Sequence, residues 1–371
     1  MRVSSLATIS RDRFSNTMFC LGKEPHSTLF YVIELANWSI KWDGRYITEC
    51  LRRRNLLSAK ITTTHRGIKN QIIHFGSRAT FLPKTWEGVD LSNKIVFTWF
   101  HGTEEHKDPA NLAMIKVLPE ASTKADIVHT SCTISKENLI RWGVPEKKIV
   151  VIPLGVDLTI FRPITAAQKD IIKKELKLPQ DKIIIGSFQK DGIGWGEGME
   201  PKWEKGADIF VKVLDKLKTK YDIFVLLLGP ARGYVKEELN KIGVPYKHLY
   251  LKNYAEIPRY YNTLDLYLVT SRAEGGPKAI LESMATRVPI VSTQVGMASD
   301  LIKEDYNGLL AKIDDVAELS GKAENIISNK EFSDRLAKNA LNTITSYSWD
   351  KIAREYYEKI YKRFLKGYAP S

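Results

Sequence analysis

The sequence predicts an α/β protein made of two doubly wound, Rossmann-like domains. Short apolar runs alternate with amphipathic stretches along the chain, a pattern typical of β-α units around a parallel sheet. At 371 residues the chain is too long for one ordinary domain. The apolar runs form two series that meet near residues 161–165. We therefore expect a first domain over residues 1–162 and a second over residues 163–348.

Each series contains six apolar runs that predict strands. In the first series they lie at residues 29–34, 59–64, 71–75, 94–100, 127–130 and 149–153, with helices at 44–54, 110–118 and 135–142. In the second series the strands lie at 182–188, 223–228, 249–251, 266–270, 289–292 and 309–311. The second-series helices are expected at 204–217, 235–242, 257–262, 277–286, 316–328 and 331–347.

The last stretch of the chain, residues 349–365, predicts one more helix. It places four apolar residues at four-residue steps, which form one face of a helix: Ile352, Tyr356, Ile360 and Phe364. Such a face needs a surface to cover. We expect this helix, over residues 349–367, to cross back onto the first domain.

The composition excludes several classes of protein. Hydrophobic residues make up 43% of the chain and charged residues 27%, the balance of a soluble globular protein. No run of 18 apolar residues exists, which argues against a transmembrane helix. The first ten residues do not have the pattern of a secretory signal. Three widely spaced cysteines without a CxxC pair suit free thiols in a reducing cytoplasm, so we expect a cytoplasmic protein.

The net charge is +13, and the excess is concentrated in the first half. Residues 1–163 carry 23 Lys and Arg against 15 Asp and Glu. This excess suits a phosphorylated ligand, an acidic lipid surface or nucleic acid, and it equally suits a generally basic surface. No aromatic-and-basic recognition motif favours nucleic acid. A peripheral contact with the anionic inner face of a membrane stays open.

The most informative pattern is residues 271–285, which follow the apolar run at 266–270 and open a helix. Pro277 is preorganised for the first helical position. Gly275 and Gly276, just before it, let a ligand approach the backbone closely. The exposed N–H groups and dipole of the helix start favour an anion such as a diphosphate. Ligands of open α/β sheets bind at this place, beyond the carboxyl end of a strand.

Two glutamates, Glu274 and Glu282, belong to this pattern. Glu282 lies on a helix that is apolar around most of its circumference, so its charge needs a partner. A pair of ribose hydroxyls would supply one. The alternative is a solvated carboxylate on the surface of an amphipathic helix.

At these residues the sequence resembles glycosyltransferase family 4, whose hallmark is two glutamates separated by seven residues after a strand. The resemblance covers nearly the whole chain. It includes residues 135–163, which look like the family's crossing between domains, and Gly296 followed by residues 307–309. It implies the GT-B fold, with two Rossmann-like domains facing a central cleft. By the resemblance, Glu274 holds hydroxyls of the donor sugar and Glu282 holds the ribose.

The resemblance also implies which groups bind the donor's diphosphate. Backbone amides of Gly275, Gly276 and the residues after Pro277, beginning with Lys278, would line it. Family members usually carry an arginine after the first strand of the second domain and a lysine before the glycine that starts the next helix.

In this sequence those two positions are Lys190, with Gln189 beside it, and Lys205. A lysine at position 190 keeps the charge but loses the bidentate fork of arginine. For Lys205 the alternative is a solvated lysine at a helix start, although a cation there opposes the helix dipole and favours a nearby anion.

Two residues of the first half complete the candidate site. His101 follows an apolar strand and precedes a glycine, and it resembles the family's first-domain histidine near the donor sugar; a lone histidine is otherwise more often structural. Gly44 ends the loop 37–44, which resembles a loop that approaches donor or acceptor. Trp38 and Trp42 in that loop suit either a stacking platform for a sugar ring or simple packing.

No cofactor and no metal ion is expected. The stretch from His101 to His106 is not an HExxH motif, and no Asp-x-Asp pair occurs to hold a divalent ion on a diphosphate. The compensating positive charge would then come from Lys190, Lys205 and the helix start.

The sequence therefore predicts a retaining, metal-independent glycosyltransferase that moves a hexose-type sugar from a nucleotide-diphosphate sugar to a glycan or lipid-linked acceptor. No residue of these motifs is a convincing nucleophile, which favours a same-face mechanism. The alternatives are a nucleotide-sugar epimerase or phosphorylase on the same scaffold, and a non-catalytic subunit that binds nucleotide sugars. A nucleic-acid acceptor is not favoured.

Overall fold

The computed structural model of the chain describes residues 2–35, 39–82 and 84–366. The chain forms two compact units, one of Met1–Gly155 with Trp349–Ser371, and one of Val156–Ser348. The chain thus passes from one unit to the other at residues 155–156, a few residues before the predicted boundary at 162.

The first unit is an α/β sheet structure. Its strands are β1 (Thr28–Val32), β2 (Ser58–Thr62), β3 (Ile72–Phe75), β4 (Lys94–Thr98), β5 (Ile127–Thr130) and β6 (Ile149–Val151). Its helices up to residue 155 are α1 (Arg2–Cys20), α2 (Ser39–Arg53), α3 (Arg78–Phe81), α4 (Pro109–Lys124) and α5 (Thr133–Arg141).

All strand pairs of the first sheet are parallel, in the order β2-β1-β3-β4-β5-β6. The strand order reverses between β1 and β3, and such a reversal opens a crevice at the carboxyl ends of the two strands. The apolar runs are short and continuous because helices cover both faces of a parallel sheet. Every residue of β1, β3 and β5 is buried.

The second unit repeats this architecture with a different strand order. Its strands are β7 (Ile183–Phe188), β8 (Ile223–Leu228), β9 (Tyr246–Leu249), β10 (Leu266–Val269), β11 (Ile290–Thr293) and β12 (Leu309–Ala311). Its helices are α6 (Ala166–Glu175), α7 (Ala207–Leu217), α8 (Gly233–Lys241), α9 (Ile257–Tyr261), α10 (Lys278–Ala285), α11 (Ala298–Leu301), α12 (Val316–Ser328) and α13 (Lys330–Ile344).

The second sheet is also parallel throughout its six paired strands, in the order β12-β11-β10-β7-β8-β9. Here the order reverses between β7 and β10. This is the strand order of the doubly wound dinucleotide-binding fold, in which ligands bind at the reversal. The residues that follow β7 and β10 therefore lie at the expected ligand-binding edge.

The last helix, α14 (Trp349–Lys359), packs on the first unit. Its Trp349 ring stacks on Tyr46 of α2, with ring centroids 5.2 Å apart. Its Asp350 lies between Arg53 and Arg54, with a 3.2 Å ion pair to Arg54. The hydrogen bond from Arg54 is the main reason why the pKa of Asp350 is lowered to about 2. The predicted return of the last helix to the first domain is confirmed, but the helix ends at Lys359 and not at the predicted residue 367, and a 3₁₀ turn follows at Tyr361–Phe364. The two parallel sheets with their helices confirm the predicted α/β fold class.

A buried polar network joins the end of the chain to the first sheet. His74 Nδ1 lies 2.6 Å from the Tyr361 hydroxyl, and His74 Nε2 lies 2.7 Å from the Thr98 hydroxyl. The same Thr98 hydroxyl is 3.0 Å from His129 Nδ1, and the Tyr356 hydroxyl is 3.0 Å from His129 Nε2. Burial lowers the pKa of His129 to about 4, and it lowers the pKa of His74 well below its ordinary range.

Because the pKa of both histidines is lowered in the folded protein, we expect the protein to lose stability in mild acid. The unfolded chain protonates each histidine near pH 6.5, whereas the folded chain keeps His129 neutral until about pH 4 and holds the pKa of His74 well below its ordinary value. Protons therefore favour the unfolded state in this window. We expect the free energy of unfolding to fall between pH 6.5 and about 4, by up to ~1.4 kcal/mol per pH unit for each histidine.

Urea unfolding at a series of pH values measures this slope. The variant His129→Gln should unfold with a shallower pH dependence than the wild type, even if it is less stable at pH 7. A free energy of unfolding that stays constant between pH 6.5 and 5 would contradict the prediction.

One strand and four helices of the described residues depart from the prediction. The third strand of the second unit was expected at 249–251, but β9 begins three residues earlier. It is a half-buried edge strand that pairs through its backbone and has no apolar run to mark it. Helices α1, α3, α6 and α11 were not predicted, and α3 and α11 are only four residues long. α6 begins with a capping box of Thr165 and Gln168 but is largely polar, so it lacks the broad apolar face that marks a helix in sequence.

Candidate active site

The candidate site of the second unit lies where β7 and β10 end side by side. Gln189 and Lys190 follow β7, and residues 271–277 follow β10. Lys205 ends a short 3₁₀ turn that leads from β7 to α7. The sequence predicted these residues as one site from separate segments, and the parallel order of the sheet brings the segments to one edge.

Lys205 and Glu274 form an ion pair at this edge. The Lys205 Nζ atom is 2.6 Å from Glu274 Oε1, and the Ser271 hydroxyl donates a 3.0 Å hydrogen bond to the same oxygen. The two side chains are only 22% and 11% exposed. Burial by itself lowers the pKa of Lys205, but the Glu274 carboxylate outweighs it and raises this pKa above its ordinary value. A fully charged ammonium is therefore held at the site.

Backbone contacts hold residues 204–206, at the start of α7, against residues 270–273, which follow β10. The amides of Arg272 and Ala273 donate to the Glu204 carbonyl, at 2.9 and 3.2 Å. Gly206, which starts α7, has φ +59°, and a Cβ atom there would lie 1.9 Å from the Thr270 carbonyl oxygen. Only glycine permits this approach, which explains why a glycine follows Lys205.

Helix α10 begins directly after the loop of residues 271–277, so the positive end of its dipole lies at that loop. Pro277 precedes the helix as its N-cap, so the prediction that Pro277 is the first helical residue was wrong by one position. The helix has no acidic residue in its first turn, where Lys278 is half-buried. The Met297 amide donates a 2.8 Å hydrogen bond to the Gly275 carbonyl, which holds the loop of Gly275 and Gly276. A positive helix terminus with no carboxylate in its first turn suits a bound anion.

Glu282 is 7% exposed, so it is not a solvated surface carboxylate. Its carboxylate accepts hydrogen bonds from the hydroxyls of Tyr254, at 2.5 Å, and Tyr261, at 2.9 Å. Burial, and then the charge of Glu282, raise the pKa of Tyr261 well above its ordinary value. Glu282 therefore does not depend on a ribose for a partner, because the fold itself supplies two. Neither tyrosine was identified from the sequence, where nothing links them to a glutamate more than twenty residues away.

Lys190 and Gln189 are held by a second buried pair. Arg232 Nε lies 2.9 Å from Asp191 Oδ1, with both side chains nearly inaccessible to solvent. The Arg232 guanidinium also donates to the carbonyls of Ser187, Gln189 and Leu228, at 2.7 to 3.2 Å. These bonds fix the end of β7, and sequence reasoning missed them. Burial, and then the nearby charge of Lys202, lower the pKa of Lys190.

His101 belongs to the first unit and is exposed at the carboxyl edge of its sheet, three residues after β4. Neighbouring strand ends carry polar groups that the sequence did not reveal. The Ser77 hydroxyl donates a 2.6 Å hydrogen bond to Glu34, after β3 and β1 respectively, and Arg78 donates a 2.9 Å hydrogen bond to Asn111. These residues surround the strand-order reversal of the first sheet.

Gly44 does not end a loop, because α2 begins at Ser39 and includes it. A Cβ atom at Gly44 would lie 2.7 Å from the Tyr31 ring, so glycine is needed for close packing of α2 on β1. Donor binding by a loop at Gly44 is therefore not supported by its position. Trp42 also lies in α2, with Arg45 4.9 Å from its ring centroid, and Trp38 lies outside the described residues.

Over residues 2–35, 39–82 and 84–366, no group of three or more His, Cys, Asp or Glu side chains is arranged to hold a metal ion. Within the same ranges, no helix has both the length and the apolar character needed to cross a bilayer.

Family models match both halves of the chain. The model for glycosyl transferases group 1 matches residues 201–343, and the model for glycosyltransferase family 4 matches residues 24–160. Together the two matches cover well over half of the chain.

Among proteins of known name, the lipopolysaccharide core biosynthesis mannosyltransferase LpsB of Rhizobium meliloti is 29% identical over 208 residues, which are 53% of this chain and 55% of that protein. The N,N'-diacetylbacillosaminyl-diphospho-undecaprenol alpha-1,3-N-acetylgalactosaminyltransferase of Campylobacter jejuni is 28% identical over 228 residues, 61% of this chain and 57% of that one. The chain thus spans little more than half the length of these relatives.

Solved structures resemble nearly the whole chain. Anabaena HepE, in complex with UDP and glucose, has a TM-score of 0.75 at 16% identity, covering 91% of this chain and 100% of that one. The sucrose-phosphate synthase of Thermosynechococcus elongatus has a TM-score of 0.73 at 14% identity, covering 91% and 99%. At these identities the similarity shows a shared fold.

Proposed function

Because the chain belongs to the group 1 and family 4 glycosyltransferases, we propose that it transfers a hexose-type sugar from a nucleotide-diphosphate sugar to a glycan or lipid-linked acceptor. The observation that carries this proposal is the Lys205–Glu274 pair, held at 2.6 Å where β7 and β10 end and beside the start of α10. A partly buried cation next to a positive helix end suits a diphosphate, and a carboxylate beside it suits sugar hydroxyls.

The proposed reaction proceeds with retention and without a metal ion. The bond between the anomeric carbon and a diphosphate oxygen breaks, and the acceptor oxygen bonds to the same face of that carbon. The acceptor's proton passes to an oxygen of the leaving phosphate. Lys205, Lys190 and the N–H groups at the start of α10 stabilise the charge that develops on the diphosphate, and they do so more in the transition state than in the ground state.

Glu282 supports the nucleotide end of the site in this proposal. Its carboxylate is already held by two tyrosine hydroxyls, one on each oxygen, and a carboxylate oxygen can accept more than one hydrogen bond. A ribose hydroxyl that donates to it would add to a prearranged network. Preorganisation of this kind limits the entropy lost on binding.

A thermal-shift panel of UDP, GDP, ADP, CMP and dTDP tests nucleotide binding directly. A ligand that binds only the native protein raises its melting temperature, so we expect at least one nucleoside diphosphate to raise it at millimolar concentration. A flat response to the whole panel would contradict the proposal.

The stereochemical outcome has its own test. With the nucleotide sugar that the panel supports, NMR of the product should show the anomeric configuration of the donor. Inversion would exclude the same-face mechanism. Incubation of the donor without acceptor identifies an epimerase, which converts the donor alone. A non-catalytic subunit would bind the donor but show no turnover even with acceptor present.

We further propose a peripheral contact with an anionic membrane, where a lipid-linked acceptor would be found. Helix α1 carries three exposed apolar side chains, Leu6, Phe14 and Met18, beside Arg11 and Arg13. The Campylobacter relative bears diphospho-undecaprenol in its name. In liposome flotation we expect binding to vesicles with acidic lipid and little binding to neutral ones. Indifference to lipid charge would count against this contact.

A further inference from the structure

The connection from β7 to α7 contains an ordered hairpin, residues 191–202, here called the Trp hairpin. Gly192 and Pro201 pair in an antiparallel bridge. The Ile193 amide donates to the Glu200 carbonyl at 2.8 Å, and the Lys202 amide donates to the Asp191 carbonyl at 2.7 Å. The segment therefore has the backbone ladder of a hairpin.

The Trp hairpin is also attached to the start of α8. The amides of Gly233 and Tyr234 donate to the carbonyls of Glu197 and Gly198, at 2.6 and 3.0 Å. Gly198 has φ +74°, and a Cβ atom there would lie 2.4 Å from the Ala231 carbonyl oxygen. This close backbone contact requires glycine. At the base of the hairpin, the buried Asp191–Arg232 pair adds a third attachment.

Trp195 lies on this hairpin and is 58% exposed. Its ring centroid is 4.1 Å from the Nζ atom of Lys190, well within the range of a cation–π contact. A carboxylate partner neutralises an ammonium, as Glu274 does for Lys205. An aromatic ring orients an ammonium but leaves its positive charge in place.

We propose that Trp195 is a positioning residue for Lys190, and that the Trp hairpin exists to hold the Lys190 ammonium for the donor's diphosphate. This inference rests on the proposed function. Lys190 stands where the family usually has an arginine. Lysine has a flexible four-carbon stem and no planar fork to orient it, so its direction must come from its surroundings. The Trp195 ring supplies that direction.

Charged groups of both signs surround Lys190. Lys202, on the same hairpin, contributes to the lowered pKa of Lys190, whereas Glu204 acts in the opposite direction and pairs with Lys202 at 3.5 Å. Together with the Lys205–Glu274 pair, three lysines and two carboxylates leave a net positive charge at this strand end, which suits an anion. The ligand class is therefore the diphosphate group, rather than the base or the ribose.

Calorimetric titration of Trp195→Leu tests this role. The probes are the nucleoside diphosphate that most stabilises the wild type in the panel above, and the matching nucleoside. We expect Trp195→Leu to weaken the diphosphate roughly 3- to 30-fold, the range of a cation–π contact, and to leave the nucleoside unaffected. Trp195→Phe should restore most of the affinity, because phenylalanine keeps a π face.

A double-mutant cycle separates positioning from other effects. In a Lys190→Met background, Trp195→Leu should cause no further loss of diphosphate affinity, since no ammonium remains to be oriented. Ile193→Ser, at another exposed apolar residue of the Trp hairpin, is the matched control and should bind as the wild type does. Circular dichroism should show the same melting temperature for wild type and Trp195→Leu.

Additive losses of diphosphate affinity in the cycle would overturn the role of Trp195. If Trp195→Leu weakened the nucleoside as much as the diphosphate, Trp195 would stack directly on the base, and the positioning role would also be overturned. Either result leaves the proposed glycosyl transfer intact. A wild type that binds no nucleoside diphosphate overturns both the proposed function and this inference.

Discussion

Replacement of Lys205 by methionine is expected to lower kcat/KM for glycosyl transfer by at least ~100-fold, the effect of removing a transition-state charge contact. The substitution keeps the length of the side chain but removes the ammonium 2.6 Å from Glu274. The leaving diphosphate then loses a cation in a partly buried place, where water does not replace it. Initial rates with the nucleotide sugar identified by the panel measure the effect.

Two variants complete this experiment. Lys212→Met removes an exposed lysine of α7, 3.9 Å from Asp208, and should retain wild-type kcat/KM. The double variant Lys205→Met with Glu274→Gln should be little worse than Lys205→Met alone, because residues that act as one unit show non-additive losses. A kcat/KM within tenfold of the wild type for Lys205→Met would remove this lysine from the site.

Replacement of Arg232 by methionine is expected to lower the free energy of unfolding by ~3–5 kcal/mol, the effect of breaking one side of a buried ion pair. The Asp191 carboxylate, 2% exposed, would remain without its counter-charge. The carbonyls of Ser187 and Leu228 would also lose their donor. Because burial already raises the pKa of Asp191, we expect the variant to take up a proton there as it adapts.

Urea unfolding of the full chain, followed by circular dichroism, measures this loss. Arg259→Met is the matched control, since Arg259 pairs with Glu175 on the surface and such pairs contribute ~1 kcal/mol or less. The double variant Asp191→Asn with Arg232→Met should recover part of the lost stability, because no charge is left buried. A loss below ~1 kcal/mol for Arg232→Met would show that the pair does not hold the end of β7.

The strands were predictable because their signal is local. A continuous apolar run such as residues 223–228 identifies a buried strand of a parallel sheet wherever it occurs. β9 was missed because Tyr246, Lys247 and His248 are polar or aromatic, and the strand is half-buried at the edge of the sheet. α6 was not predicted because most of its residues face solvent, and its capping box of Thr165 and Gln168 is by itself a weak signal for a helix.

The candidate site was predictable in part for a similar reason. Glu274 comes soon after a strand, and strand ends of an α/β sheet are the expected place for ligand-binding residues. Lys205 was identified by the family resemblance and by its place just before a helix. Gly44 was misplaced because a glycine in a helix and a glycine in a loop look alike in sequence. Only its contact with the Tyr31 ring reveals that close helix packing requires it.

By itself, the sequence determined the α/β class, the return of the last helix, and the residue types available at the strand ends, since short-range periodicity carries all three. The tertiary structure alone decided which of these residues meet. Tyr254 and Tyr261 satisfy Glu282, Arg232 neutralises Asp191, and Trp195 lies against Lys190. Contacts of this kind depend on the strand order of the sheet and on the path of one hairpin, and the spacing of residues along the chain contains no measure of either.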